Sequence, residues 1–539
     1  MSVVAEGLLL GMCGARKVRM MASSARRHGY VAGAPGTGKA ATLQVLAEAF
    51  SDIGVPVFAT DTSGELAGMS QPGGGDAAVE RRAKKLRLGA DWAREGYPVV
   101  LWDALGGGGG SGGGQGHPLR TTVSALGPLL LSRMLGLNDT QEAVLTVVYR
   151  VADEMGLLLL DTKDLRAMLK YCAEHAAEIS TEYGSVSAAS VGTIQRALLQ
   201  FEERGGVRLL GEPAIDVMDL VAGAGGGGGG ALGGGETGGG GRGVVNLLVA
   251  ERLVTSRRTY SALLLWLLGE LSARLPEVGG GAGRAPALVV LIDDAEVLFE
   301  DAPAWLIDTV EQLLRSLSAR GVGVFFATEN PVDLPERVLC HLGTKVQHAL
   351  RDYTPRDERR VVAAAELLRS NPAFLTELVL TAMEPGEALV SVIGEDGTPS
   401  RVERVVMVPP HAHMGTLGED ARRALCAASP MAGRYEVTVD RESAYEVLKV
   451  RLEATAAERA AAASAAAEAK AALQQARLEA AQARAVAAAE RATRASQGRG
   501  DAMLDAAGKS AARSIGNQVG RTIIRGILGA ALKTGVTGN

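Results

Sequence analysis

The sequence predicts an α/β protein built on a mostly parallel sheet with helices on both faces. Three observations carry that expectation. Short apolar, β-rich runs recur along the chain: VPVFATD (55–61), PVVLWD (98–103), VVNLLVA (244–250), ALVVLIDD (287–294) and GVFFATE (323–329). They are strand-length and apolar on both faces, as strands buried on two sides must be. Helical patterns separate most of them, which is how parallel strands are connected. Third, the glycine-rich GAPGTGKA (33–40) follows the apolar Tyr30-Val31-Ala32 and opens the helix-like ATLQVLAEAF.

Size and composition suit this reading. The chain has 539 residues, of which 47% are apolar, ample for one large domain with appendages. No uncharged, unbroken apolar run reaches the roughly 18 residues that a membrane span needs, so a membrane is not an expected partner. Cys13, Cys172, Cys340 and Cys426 are scattered with no C-x-x-C spacing; they read as reduced thiols, and a cytoplasmic location is the expectation.

The domain expected to carry the chemistry is 1–410. Glycine-rich loops interrupt it near 106–114 and 223–243, with a shorter tract at 279–281, and a mostly helical insertion is expected over about 127–203. EALVSVI and RVERVVMV read as a β-hairpin around Gly394–Gly397. After Pro409-Pro410, residues 411–450 read as a connector. Residues 451–497 are alanine-rich with interspersed charge, a strong helix former, read as a single exposed helix or a thin coiled coil. Residues 498–539 place Ile515, Val519, Ile523 and Ile527 beside Arg513, Arg521, Arg525 and Lys533, a basic amphipathic segment suited to docking or self-association. From Arg451 onward there are 13 Lys and Arg against seven Asp and Glu; with −5 overall, the preceding residues carry −11. A basic tail follows an acidic body, which bears no basic stripe for nucleic acid.

In GAPGTGKA, Gly33, Gly36 and Gly38 let the backbone curl so that successive N–H groups form a nest for phosphate oxygens, and the following helix adds its positive end. Gly33, Ala34, Pro35, Gly36, Thr37, Gly38, Lys39, Ala40 and Ala41 are therefore the expected nucleotide-binding residues, with Lys39 reaching the β- and γ-phosphates of ATP. Ala40 stands where a serine or threonine hydroxyl ordinarily ligates Mg²⁺. Thr37 and Thr42 are not obvious replacements, and a water in the metal shell is the alternative. ALVVLIDDAE runs up a buried strand to Asp293, the expected Mg²⁺ carboxylate, with Asp294 next to orient the attacking water. Thr328, Glu329 and Asn330 end another strand, at a tip that commonly senses the γ-phosphate; Glu329 is the expected sensor, with Asn330 as the alternative because an ionised glutamate there repels phosphate. Arg351, with Arg356 as second choice, is the expected neutralising arginine in cis or across a subunit interface. His348 reads as a satisfied core or surface histidine.

The phosphate loop after RRHG, SDIGVPVFATDTSGELAGMSQPG, HPLRTTVSALGPLLLSRMLGLNDTQ, GLLLLDTKDLRAML, VGVFFATENPVDLPERVL and GTKVQHALRDYTPRD together resemble the YjgR-like proteins of the HerA–FtsK class of P-loop ATPases. The resemblance runs through most of 7–410, and KSAARSIGNQVGRTIIRGILGAALK is similar to the family's ending. It implies a RecA-like core, often a hexameric ring, with relatives that translocate DNA; a homo-oligomer and DNA enter as expected partners on that ground alone. It also implies departures at the chemistry: the family usually has Thr or Ser at position 40, Glu at 294, often His at 296, Gln at 329, and a lysine near Ser63. Two readings follow. One is an ATPase acting on DNA; the other is a nucleotide-binding scaffold with weak or no hydrolysis because of Ala40, Asp294 and Glu329.

Overall fold

The computed structural model describes residues 7–74, 77–89, 92–106, 115–222, 241–278, 284–351, 353–394 and 397–497. The glycine tracts (107–114, 223–240 and 279–283), the centre of the hairpin turn and the basic segment 498–539 lie outside the described residues.

The apolar runs form strands of one 12-stranded sheet. In chain order they are β1 (Leu8–Cys13), β2 (Arg16–Met20), β3 (Gly29–Ala32), β4 (Val57–Asp61), β5 (Val99–Asp103), β6 (His117–Pro118), β7 (Val245–Val249), β8 (Leu288–Ile292), β9 (Val322–Thr328), β10 (Thr344–His348), β11 (Glu387–Ser391) and β12 (Glu403–Met407). The spatial order is β2-β1-β12-β11-β10-β3-β9-β8-β4-β7-β5-β6. From β10 to β6 every neighbouring pair is parallel, and the β11–β12 hairpin with β1 and β2 adds an antiparallel end.

Successive residues of the central strands enter opposite cores, as the two-residue period of a strand requires. Tyr30, Phe58, Val290 and Phe326 pack on one face, with Tyr260, Leu264 and Leu314. Val31, Val57, Val289 and Phe325 pack on the other, with Leu43, Leu46 and Phe50. The second face is covered by α1 (Lys39–Asp52), and α2 (Ala77–Lys85) follows it in the chain. The helices that build the first core are α3 (Val123–Leu135), α4 (Asp139–Glu154), α5 (Thr162–Glu174), α6 (Ala176–Tyr183), α7 (Ala188–Glu203), α8 (Arg257–Arg274), α9 (Glu296–Phe299) and α10 (Ala304–Ala319). Of these, α4 to α7 lie within the stretch 127–203 read as a helical insertion, and α3 begins just before it at Val123. Capping boxes start α4 at Asn138 with Gln141 and α5 at Asp161 with Asp164, each satisfying orphan N–H groups.

Residues 411–450, read as a connector, are packed into the body, which extends to Val450. The cause is a set of polar anchors that need this segment. Glu48 of α1 is buried and accepts the N–H groups of His411 (2.8 Å) and Ala412 (3.0 Å). Farther on, Arg120 donates to the Tyr435 carbonyl (2.7 Å), and the Tyr435 ring meets Trp102 edge-on at 5.4 Å. Asp164 accepts the Tyr445 N–H (2.9 Å) and the Ser443 hydroxyl. The long helix Ala444–Gln497 begins here. The second unit, from Arg451, is helical to Gln497 and exposed along nearly all of its length with described burial.

Replacing Glu48 by alanine leaves two buried backbone donors unpaired and should cost about 2–4 kcal/mol in urea unfolding. Glu48→Gln, which keeps one acceptor oxygen, should cost less; equal losses would show that the carboxylate contacts contribute nothing beyond packing.

His28 gives a pH-dependent counterpart. Its Nε2–H donates to Leu314 O (2.8 Å) and its Nδ1 accepts the Val324 N–H (3.0 Å). Burial, with a smaller contribution from His341, lowers its pKa to about 4. Protonation would set two N–H groups face to face. A depressed histidine contributes stability that is present above its unfolded value of about 6.5 and lost as pH falls toward 4. The destabilisation caused by His28→Gln should therefore be smaller at pH 5 than at pH 7.5, by about 2 kcal/mol. The same loss at both pH values would exclude this role.

Candidate nucleotide site

β3 ends at Ala32 between the tips of β9 and β10, where Ala32 pairs with Thr328 and Gln347. The glycine-rich loop leaves from there and is stitched to both neighbours: Gly33 N–H donates to Thr328 O (3.2 Å) and Ala34 N–H to Ala349 O (2.9 Å). A Cβ on Gly33 would fall 2.5 Å from the Cβ of His348 and 2.7 Å from Thr37 Oγ1. Gly33 is thus required by space. Gly36 and Gly38 are required by conformation, with φ of +74° and +119°, values that turn successive N–H groups to one side. Pro35 and Gly36 are exposed, Thr37 is buried, and Ala34 and Gly38–Ala41 are intermediate. Lys39 opens α1 and its Nζ donates to Gly33 O (2.9 Å), so the ammonium lies against its own loop.

The hydroxyl absent at Ala40 is not supplied nearby. Thr37 donates to Ala34 O (2.6 Å). Thr42 Oγ1 lies 2.9 Å from His348 Nε2, while His348 Nδ1 lies 2.9 Å from Glu387 O. A carbonyl only accepts, so Nδ1 carries the proton and Thr42 donates to Nε2. Burial above all, with the charges of Lys39 and Arg82, lowers the His348 pKa to about 4. His348 is a neutral prop beneath the loop, satisfied at both nitrogens.

Asp293 follows β8 and is held by a cycle of hydrogen bonds. Its N–H donates to Thr60 Oγ1 (2.8 Å), Thr60 and the Tyr260 hydroxyl are 3.0 Å apart, and Tyr260 donates to Asp293 O (2.7 Å). Thr62 donates to the carboxylate at Oδ2 (2.6 Å). Burial, with repulsion from Asp294, raises the carboxyl to about 6, and Thr62 and Lys39 pull the other way. Asp294 has φ +47°, a left-handed conformation that aspartate tolerates better than most side chains. That is a local backbone reason for the shorter acid. Glu296 opens α9 with Oε2 buried and without a hydrogen-bond partner, and burial raises its pKa, while Thr328 and Lys39 act against that.

The strand order places the loop 33–41 and the segment with Asp293, Asp294 and Glu296 at the same end of the parallel sheet, after strands separated only by β9. The structure leaves the side chains of Glu329, Arg351 and Arg356 exposed. Asn330 is committed to the turn after β9, accepting the Val332 N–H (3.2 Å). Among the described residues, no three His, Cys, Asp or Glu side chains converge as a self-sufficient metal site. Mg²⁺ at a nucleotide takes one or two carboxylates and completes its shell with phosphate and water, a demand that Asp293 and Asp294 would meet.

The model of the helicase HerA-like C-terminal family matches residues 10–535. The chain belongs to this family. No curated protein matches the HerA-like chain. Among solved structures it is similar to VirB4 of Thermoanaerobacter pseudethanolicus (15% identity, TM-score 0.46, covering 74% of this chain and 96% of that one). It is also similar to the bacterial conjugative coupling protein TrwBΔN70 in an unbound form (12%, 0.48, 77% and 91%) and to TrwB in complex with ADP and Mg²⁺ (13%, 0.44, 74% and 88%). These likenesses are distant, and the fold of this HerA-like chain rests on its own strand order.

Sequence reasoning missed Thr60, Thr62 and Tyr260 as supports of Asp293. The signal for the first two was the ATDT at the end of β4, which pairs with β8 at Ala59 and Leu291. Tyr260 sits 33 residues before Asp293 near the start of a helix whose middle is apolar, and only the fold shows where its hydroxyl goes. Thr62→Val should destabilise the protein by about 1–2 kcal/mol, and Tyr260→Phe by about 1 kcal/mol, in urea unfolding. If the cycle is one unit, the Thr60→Ala, Tyr260→Phe double variant should lose less than the sum of the single losses. Full additivity would mean that the bonds act separately.

Proposed function

We propose that this HerA-like protein binds ATP with Mg²⁺ at the 33–41 loop and hydrolyses it, with turnover slowed by Ala40. The observation that supports this best is that Lys39 opens α1 at the end of the loop leaving β3, while Asp293 follows β8 in the same parallel sheet with only β9 between the two strands. In this reading the loop N–H groups and Lys39 hold the β- and γ-phosphates, and Asp293 receives the cation's water shell. Asp294 orients the attacking water, Glu329 senses the γ-phosphate from the strand tip, and Arg351 neutralises phosphate charge at a subunit boundary. Mg²⁺, when bound, supplies charge neutralisation at the phosphoryl oxygens. With no hydroxyl at position 40, one more water completes its shell, and its affinity falls.

Membership of a helicase HerA-like family supports work on DNA, and a cytoplasmic homo-oligomer belongs to the same reading. The body's −11 charge assigns any DNA contact to the basic chain after Arg451. The second reading, a nucleotide-binding scaffold with little hydrolysis, is favoured by the alanine at 40 together with the exposure of Glu329.

A turnover assay beside a nucleotide titration tests both. The expected result is slow, Mg²⁺-dependent phosphate release, abolished in Asp293→Asn with ATP still bound, and loss of ATP binding in Lys39→Ala. Ala40→Thr should lower the Mg²⁺ concentration for half-maximal turnover about tenfold. Tight binding with no Asp293-dependent release would leave the scaffold; unchanged ATP binding by Lys39→Ala would remove both readings.

A further inference from the structure

Arg82 of α2 reaches across to the loop that opens β11. Its Nη2 donates to Pro385 O (2.7 Å), and its Nη1 lies over Gly386, where a Cβ would meet it. Gly386 has φ +80°, so position 386 is closed to other residues by its conformation. Gly386 is in turn part of the phosphate loop's surroundings. Its N–H donates to Thr37 O (2.8 Å), and its Cα lies 3.3 Å from where a Cβ of Gly38 would be. The guanidinium thus lies one glycine away from the loop. Its charge reaches His348 beneath that loop. Among the described residues no carboxylate pairs with it; Pro385 O takes one of five N–H donors.

The sheet order indicates which part of a nucleotide this arginine faces. β8, with Asp293 at its tip, lies two strands from β3 on one side, and β11, with Gly386 just before it, lies two strands away on the other. A γ-phosphate that meets Asp293 and Asp294 points the remainder of the nucleotide toward β10 and β11. On the reading that the loop binds ATP, we propose that Arg82 is a nucleotide-binding residue that contacts the α-phosphate from the side opposite Asp293. The contact is made with every nucleotide that carries an α-phosphate. It supports affinity for ATP, ADP and AMP alike, whereas Lys39 acts on the β- and γ-phosphates.

Binding of ATP, ADP and AMP to the full-length protein, AMP by competition with a fluorescent ADP analogue, tests the assignment. Arg82→Gln retains a donor for Pro385 O and removes the charge. It should weaken all three nucleotides roughly tenfold or more, the value of a charge-assisted bond to phosphate, with an unchanged melting temperature of the nucleotide-free protein. Arg82→Lys should recover part of the loss. Lys39→Ala should weaken ATP and ADP and spare AMP. Wild-type affinity in Arg82→Gln would make the arginine a brace for the 384–386 turn and overturn the proposal, as would a loss confined to ATP, which would put the contact at the γ-phosphate. A wild-type protein that binds no nucleotide would remove the functional reading itself, and this inference with it.

Discussion

The site depends on a constraint at the end of β3: the backbone must leave the sheet between two buried strands without abandoning its hydrogen bonds. An unpaired buried N–H costs on the order of 1–3 kcal/mol, so the chain cannot simply turn outward. Gly33 and Ala34 pass their N–H groups to Thr328 and Ala349, the residues at and just beyond the ends of β9 and β10, and Gly386 donates back to Thr37. Those three bonds hold the loop before any ligand arrives. They also explain why Gly33 has no room for a side chain: His348, which props the loop from below, occupies it. Preorganisation of this kind lowers the cost of ordering the cradle when phosphate binds.

The same sheet places the acid. β8 is buried along its whole length, and its tip delivers Asp293 two strands from the loop. Burial alone would favour the neutral acid, as its raised pKa shows. Thr62 and the charge of Lys39 oppose that, so the carboxylate is held in a state that a cation can complete. Asp294 adds a second negative charge next to it, and Glu296 a third acid with one buried oxygen unpaired. Such a set is electrostatically costly without a bound cation. Nucleotide and metal would relieve a repulsion that the fold otherwise sustains.

The central strands, the loop and Asp293 were legible in the sequence because each is local. A run such as LVVLI states its burial on both faces, and GAPGTGKA states its turn in its glycines. The supports were not legible, since they join residues far apart: Thr62 with Asp293, Tyr260 with Thr60, Glu48 with His411 and Ala412. Residues 411–450 looked like a connector because they follow Pro409-Pro410, where the composition shifts. Their anchors are buried partners supplied by α1, α5 and the β5–β6 edge, which no window of sequence contains. Glu329 and Arg351 show the converse. Their positions after apolar strands put their backbones near the site, but the strand pattern does not say where a long polar side chain points, and both are exposed.

Ala40 takes on a different meaning once the hydroxyls around it are accounted for. In the sequence, Thr37 and Thr42 remain nominal substitutes for the absent metal ligand. In the structure both side chains are buried, with the Thr37 hydroxyl turned to the loop's own carbonyl and the Thr42 hydroxyl to His348, so neither oxygen is presented to a cation at the loop. Recruiting Thr42 would strip His348 of its partner at Nε2, in a setting where burial already keeps the imidazole neutral. The loop is therefore internally satisfied without a metal, with Lys39 folded onto Gly33 and both threonines committed. Phosphate must displace that lysine contact, whereas a cation finds no hydroxyl waiting. On the reading proposed above, that balance favours gripping polyphosphate through backbone and lysine over positioning Mg²⁺, and metal affinity is the quantity on which turnover would depend.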